Sequence, residues 1–195
     1  QENQPYDIFL ARSTPNPCAA VAQMAVGALD REETAFDLQN VPFDLPIAGA
    51  DSLAVTGRAT VSAGGTDAFL LLAYGTTLMP FAGRLFDGYP PAYDPPANEP
   101  PADEVGRSLA VLPKGILIAG RTTADFEGVG DPADLYLIGA DGNGHTDCSE
   151  DWSPPHQQLD AEPIRVHPYA YPVLQEAGAI VYYRSRDTHH LVCER

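Results

Sequence analysis

The chain has 195 residues, 44% of them hydrophobic, and a formal net charge of −16 with a single lysine, Lys114. This length suffices for one well-buried core or two small ones, and the apolar content is too high for a disordered chain. Because like charges repel, so acidic a chain is expected to bind neither nucleic acid nor an anionic membrane surface. The negative charge is expected to keep the chain soluble, to bind cations or to bind a basic partner.

No apolar run approaches the roughly 20 residues of a membrane helix, so no membrane insertion is expected. The chain begins at Gln1 without an initiator Met, which is typical of a processed, exported protein. We therefore expect a secreted, periplasmic or cell-surface location. The cysteines, Cys18, Cys148 and Cys193, form no CxxC pair and allow one disulfide with three possible pairings.

The first elements in chain order are two predicted strands within residues 6–30. YDIFLARS begins at Tyr6, and Pro15 and Pro17 mark a tight turn after it. The following residues 19–29, AAVAQMAVGAL, have a helix-forming composition. We interpret them as mainly strand, because they occupy the place of the strand after the turn.

The next strands lie within residues 49–86, where LAVTGRAT begins at Leu53 and TDAFLLLA at Thr66. Residues 87–103 then form a Pro-rich acidic insertion, which cannot donate regularly to a β ladder. It is expected to be an extended surface loop. Two interpretations remain: the loop wraps its own domain, or it is a docking strip for a partner that uses Tyr89 and Tyr93.

Residues 104–152 contain the clearest unit, SLAVLPKGILIAGRTT followed by ADLYLIGADGNG. Pro113-Lys114-Gly115 and the DGNG sequence at Asp141 are predicted turns between antiparallel strands. Residues 164–195 contain the last element, AIVYYRSR, which begins at Ala179.

Two of these elements recur at nearly one period. Arg58, Arg121 and Arg184 follow the apolar runs and are spaced by 63 residues; the recurrent aspartates are Asp7, Asp67 and Asp134. The sequence therefore predicts a single all-β domain over residues 1–195, built of antiparallel repeats of about 63 residues. Since the chain begins and ends within a repeat, its N- and C-terminal strands are expected to pair. Cys18–Cys193 is the disulfide that would fasten that pairing.

These residues resemble a known class of protein. SLAVLPKGILIAGRTT and DPADLYLIGADGNG are similar to the repeats of secreted bacterial β-propeller proteins, best over residues 104–147. The resemblance implies a propeller-like scaffold and carries over no catalytic residue. Three repeats are fewer than the four blades of an ordinary propeller. A further blade lies in the divergent segments, or two chains pair, or the closed form is a smaller three-fold arrangement.

The sharpest candidate site follows the DGNG sequence. An EF-type loop counted from Gly139 places oxygen donors at the expected positions, although Gly139 stands where the first carboxylate belongs. The candidate calcium-site residues are Asp141, Asn143, His145, Asp147 and Glu150. A plain hairpin turn is the alternative, and we prefer it, because the repeat alone predicts a D-x-N-G turn here.

The recurrent arginines have two interpretations. Arg58, Arg121 and Arg184 form a ring that binds an anionic ligand, or each pairs with a recurrent aspartate of the neighbouring strand. We prefer the internal ion pairs. The five histidines form no HxH or HExxH pattern, and neither a G-x-S-x-G elbow nor a phosphate-binding loop occurs.

The expected function is therefore non-catalytic: a structural or accessory subunit of an extracellular or cell-surface assembly, bound to other subunits or to itself. A carbohydrate-binding module is the first alternative, without a cofactor or with calcium, in which exposed Trp152 and tyrosines stack on sugar rings. A small hydrolase is the second alternative, and it requires carboxylates clustered at one end of the strands.

Overall fold

The structure is a computed structural model that describes residues 8–13, 20–27, 32–41, 52–61, 64–87, 102–124, 134–147, 149–159 and 179–183. In these ranges the chain is all-β, as the sequence predicts, and forms twelve strands and no helix. The strands are β1 (Ile8–Ser13), β2 (Ala20–Val26), β3 (Glu33–Val41), β4 (Ser52–Thr60), β5 (Thr66–Tyr74), β6 (Pro80–Phe86), β7 (Val105–Leu112), β8 (Gly115–Thr122), β9 (Asp134–Ala140), β10 (Ser149–Asp151), β11 (His156–Leu159) and β12 (Ala179–Tyr183).

The strands form three antiparallel sheets. Sheet 1 has the order β11-β2-β1-β12, sheet 2 the order β10-β6-β5-β4-β3, and sheet 3 the order β7-β8-β9. The predicted strand in residues 19–29 is present as β2, and β1 pairs with β12, so the expected pairing of N- and C-terminal strands is present. Residues 113 and 114 form the tight turn between β7 and β8, as predicted.

Sheet 2 is the middle layer. Its central strands are apolar on both faces, which is typical of strands that are buried from both sides. Phe69 and Leu71 of β5 pack in one core cluster with sheet 1, whereas Leu70 and Leu72 pack in a second cluster with sheet 3. Alternation along one strand therefore supplies both cores.

The predicted repeat corresponds to two equivalent hairpins. In β4 and β5 Arg58 lies opposite Ala68, and in β8 and β9 Arg121 lies opposite Leu135, so each arginine faces the residue after the recurrent aspartate. The β12–β1 pair is offset by one residue, because Tyr183 lies opposite Ile8.

The unit also has a first strand, which the sequence indicates in the second copy, as the run SLAVL before Pro113, but not in the first copy. β3 and β7 each carry a bulge, at Phe36 and at Arg107, beside a glycine of the next strand. A Cβ at Gly57 or at Gly120 would clash with a backbone carbonyl oxygen, that of Thr34 or of Val105 respectively. The close approach of two backbones at each bulge therefore requires glycine. The equivalent units are β3-β4-β5 and β7-β8-β9.

The sheets stack in the same way twice. β1 and β12 of sheet 1 contact β3 of sheet 2, and their counterparts β5 and β4 contact β7 of sheet 3. β3 and β7 also contact each other. Sheet 2 thus uses one face toward sheet 1 and the opposite face toward sheet 3.

The predicted hairpin at the DGNG sequence is wrong. β9 pairs only with β8 among the described strands, and the chain then leaves sheet 3 to form β10 beside β6 in sheet 2. After residues 152–155 it continues as β11 beside β2 in sheet 1. The segment Ser149–Leu159 is therefore a bridge that adds an edge strand to two sheets.

Candidate functional site

The predicted calcium segment begins with a loop organised by Asp141. Its Oδ1 accepts hydrogen bonds from the backbone N–H groups of Asn143, at 2.8 Å, and His145, at 2.9 Å. Gly144 has φ 81°, a conformation that favours glycine, and its N–H donates to the Asp141 carbonyl at 3.0 Å. This is a local Asx-type turn, in which the aspartate stabilises the backbone of its own loop.

The Asp141 carboxylate belongs to a series of side-chain contacts that continues through His145 and Arg84 to Asp151. The hydrogen bond from the His145 N–H is the main reason that the pKa of Asp141 lies below its usual value; the Asn143 N–H, His145 and Arg84 act in the same direction. His145 contacts Arg84 through Nε2, and Arg84 makes an ion pair with Asp151 at 2.7 Å. Asp141 and His145 are thus tied to β6 and β10 of sheet 2.

The structure separates Glu150 from the other predicted ligands. Glu150 lies in β10 opposite Leu85, and its charge acts on Asp67 of β5. Asn143 and Asp147 are exposed. In the described ranges no three His, Cys, Asp or Glu side chains are grouped so that they could hold a metal ion.

A group of carboxylates that the sequence did not indicate lies at one end of sheet 2. Asp67 is the second residue of β5, Asp87 follows β6, and Glu150 lies in β10. Partial burial, and then the charges of Asp87 and Glu150, raise the pKa of Asp67 to about 6. The recurrence of Asp67 in the repeat was the one sequence feature that pointed to this group. The pairing of β5 with β6 and of β6 with β10 was needed to place Asp87 and Glu150 beside it.

The expected exposure of Trp152 is wrong. Its side chain belongs to the core between sheets 1 and 2, where the residue is only 9% exposed and its ring centroid lies 5.0 Å from that of Phe69. It is buried because the bridge segment crosses from one sheet to the other at this point. The indole also lines a cavity of about 100 Å³ whose wall includes Phe81, Pro154 and His156.

The predicted Arg–Asp ion pairs are wrong for the first two repeats. Since Arg58 lies opposite Ala68, alternation places it and Asp67 on opposite faces, and the same holds for Arg121 and Asp134. Arg58 instead lies 3.6 Å from Glu32, in a largely exposed pair. Arg184 and Asp7 lie outside the described residues, so the arginine ring remains a prediction.

Asp37 joins the two repeated units, a role that no pattern in the sequence predicted. This buried residue follows the β3 bulge, and its Oδ2 accepts hydrogen bonds from Leu109 N, at 2.8 Å, and Ser108 Oγ, at 3.1 Å, in β7. Oδ1 accepts the N–H of Leu38 at 2.8 Å. Asp37 and Ser108 are the residues directly after the two bulges, so equivalent positions contact each other.

A second link between sheets 2 and 3 lies where β5 begins. Asp103 accepts hydrogen bonds through Oδ1 from the N–H and Oγ1 of Thr66, and its own N–H donates to Thr123 Oγ1. The neighbouring Glu104 is buried and accepts a hydrogen bond from Thr122 at 2.7 Å. Glu33, the first residue of β3, is also buried and lies three residues before its bulge, as Glu104 does before the bulge of β7.

Several predicted contacts lie outside the described residues. These are Tyr89 and Tyr93 of the Pro-rich insertion and the cysteines Cys18, Cys148 and Cys193, so the partner strip and the Cys18–Cys193 disulfide remain predictions. In the described ranges the structure has no helix of sufficient length and apolar character to traverse a membrane. The chain matches no protein-family model, no curated protein and no solved structure.

Proposed function

We propose that this chain is a non-catalytic, propeller-like β-repeat protein that acts as a structural or accessory subunit of an extracellular or cell-surface assembly. The observation that carries the proposal is the repeated stacking: β4 and β5 meet β7 as β12 and β1 meet β3. Proteins built by such stacking use their repeats as scaffold and their outer surfaces for contacts. The residues that the fold makes equivalent, such as Asp37 and Ser108, bind one another.

The polar links found in the described residues also serve the scaffold. Asp37, Asp103 and Glu104 accept hydrogen bonds across or beside the boundary of sheets 2 and 3, and Asp141 stabilises its own loop. A carboxylate that acts as general acid or base needs an oxygen within hydrogen-bond reach of the substrate, whereas these carboxylates are directed to groups of the protein itself. This pattern supports a structural role.

Carbohydrate binding is the alternative favoured by one observation, the small cavity beside Trp152 and Phe81. Its volume of about 100 Å³ lies below the several hundred Å³ of ordinary ligand pockets, and the indole is buried instead of offering a face for stacking. A hydrolase is favoured by the carboxylate group of Asp67, Asp87 and Glu150, because an acid with a pKa near 6 is suited to proton transfer.

A glycan array probed with the full chain, with calcium and with a chelator, tests the proposal against carbohydrate binding. We expect no bound glycan in either condition. Asp141, the candidate calcium ligand, already accepts hydrogen bonds from two backbone N–H groups, so calcium should make no difference. Glycan binding that a Phe81→Ala variant loses would overturn the structural assignment.

The hydrolase alternative is tested with the same glycans by product analysis. Turnover that disappears in Asp67→Asn but persists in Asp147→Asn, an exposed control, would contradict the proposed function. We expect no turnover by any of these proteins.

A further inference from the structure

The outer face of sheet 3, the face turned away from sheet 2, is apolar and exposed. We define it by Ala110 of β7, by Leu117, Ala119 and Arg121 of β8, and by Leu135 and Leu137 of β9, which lie on one side by strand register. Leu135 is 75% exposed, Leu137 58% and Leu117 37%. A solvated sheet face ordinarily carries polar residues at such positions.

The equivalent face of sheet 2 is fully covered. Leu117, Leu135 and Leu137 correspond in the repeat to Ala54, Ala68 and Leu70, each of which is 0% exposed and packs in the core beneath sheet 3. The outer face of sheet 3 is therefore a continuation of an interface that the fold already uses between its sheets. In sheet 2 this face is covered by sheet 3, so a sheet of a second copy of this chain is a suitable cover for the same face of sheet 3.

Charge distinguishes the outer face of sheet 3 from the rest of the molecule. The chain has 27 acidic residues, yet the six residues that define this face include no carboxylate and one cation, Arg121. Two copies with a net charge of −16 repel each other at a distance, but this face brings no carboxylates together at contact.

The opposite outer face, that of sheet 1, is not available as a complement. Ala11, Gln23 and Ala25 lie on the side of sheet 1 away from sheet 2, and all three are buried. Sheet 3 of one copy therefore cannot pack on this side of sheet 1 of a second copy, which excludes a head-to-tail contact of this kind. The remaining self-complementary arrangement is a twofold contact in which the outer faces of two copies of sheet 3 meet.

The size of the face sets the strength of the contact. Two strands of eight residues and one of seven, with about 3.3 Å per residue and about 4.8 Å between strands, give on the order of 400 Å² per copy. The total of roughly 800 Å² lies below the 1,200 Å² typical of stable complexes. The contact is therefore transient when isolated and adds to other contacts in a larger assembly.

We propose that the outer face of sheet 3 is a self-association surface, through which a second copy of this chain docks by a twofold contact centred on Leu117, Leu135 and Leu137. This inference rests on the proposed assembly role and names one of its interfaces.

Sedimentation velocity of the full chain, from about 5 to about 500 µM, tests the contact. We expect the weight-average mass of the wild-type chain to rise from the monomer value toward twice that value. Leu135→Lys and Leu137→Lys are expected to stay monomeric over the whole range. Met79→Lys is the matched control, because Met79 is 50% exposed but lies in the connection between β5 and β6. It should dimerise like the wild type.

Thermal unfolding of each variant verifies that the fold is retained, and concentration-dependent protection of β9 from hydrogen exchange in the wild type gives a second readout. A wild-type chain that remains monomeric at the highest concentration overturns the inference, as does a dimer that both lysine variants retain. Either result leaves the glycan experiments, and hence the proposed function, unaffected. Glycan binding by a dimeric chain would overturn the proposed function and leave the docking face intact.

Discussion

Arg107 lies over the ring of Phe36, with its Cζ 4.3 Å from the ring centroid, and each of these residues is the extra residue of a β-bulge. The two bulges occupy the same place in two equivalent units. A bulge turns its extra side chain out of the regular alternation, and here both turn toward each other where β3 meets β7. The contact between the two units is thus formed by the bulge residue of each unit.

This contact can be measured with a double-mutant cycle. Phe36→Leu and Arg107→Gln each remove the cation–π interaction while keeping a side chain of similar length. We expect a coupling free energy of about 0.5–1 kcal/mol from urea unfolding, as is usual for exposed pairs of this kind. Additive effects of the two substitutions would show that the bulged residues do not interact in solution.

The two bulge glycines are expected to tolerate no side chain. Gly57→Ala and Gly120→Ala each direct a Cβ into a backbone carbonyl oxygen, so each should lower the free energy of unfolding by about 3 kcal/mol. Gly139→Ala is the control, because a Cβ there meets nothing within 4 Å. Unequal effects at Gly57 and Gly120, with one near zero, would contradict the equivalence of the units.

Asp37 is expected to hold the two units together. Asp37→Ala leaves the buried N–H groups of Leu38 and Leu109 without an acceptor, and each such group costs about 1–3 kcal/mol. We therefore expect a loss of about 3 kcal/mol in urea unfolding. Ser108→Ala removes one donor and leaves both backbone bonds, so its loss should be about 1 kcal/mol. A Ser108→Ala variant that loses more free energy of unfolding than Asp37→Ala would contradict this role of Asp37.

The carboxylate group at the end of sheet 2 predicts a pH dependence. The pKa of Asp67 is about 6 in the folded chain and 3.8 as its ordinary value, so folding favours its protonated form. The resulting stabilisation is complete below about pH 4 and is lost as the pH rises through about 6. At pH 7.5 the charged carboxylate is therefore a cost, increased by Asp87 and Glu150.

Asp67→Asn should accordingly be more stable than the wild type at pH 7.5, by roughly 1–2 kcal/mol because the group is only partly buried. The difference should shrink toward zero near pH 4, as followed by urea unfolding at several pH values. Asp147→Asn, at an exposed position, should match the wild type throughout. An Asp67→Asn variant that is less stable at pH 7.5 would refute the assigned environment.

The strand content and the two hairpins around Arg58 and Arg121 were predictable, because short apolar runs that end in Gly-Arg recur at a fixed spacing. The first strand of the unit was predictable only in its second copy, from the apolar run SLAVL before the turn at Pro113. Its two copies share little beyond the buried Glu33 and Glu104, and their bulge residues, Phe36 and Arg107, are chemically unlike. A bulge is stabilised by contacts with distant strands, and these leave no local pattern.

Two predictions failed for a related reason. The ion pairs of Arg58 and Arg121 required a register, and a shift of one residue moves a side chain to the other face of a sheet. The exposure of Trp152 depended on where the chain travels after β9, and a turn sequence alone does not show whether the next strand joins the same sheet.

β3-β4-β5 and β7-β8-β9 are two copies of one unit in the same register. Nuclear Overhauser contacts in the full chain provide the sharpest test of this equivalence. The predicted result is a matched pair of cross-strand contacts, Gly57 with Phe69 and Gly120 with Tyr136, together with contacts of the Phe36 ring to Arg107. A register displaced by one residue in one hairpin, or the absence of the Phe36–Arg107 contacts, would contradict it.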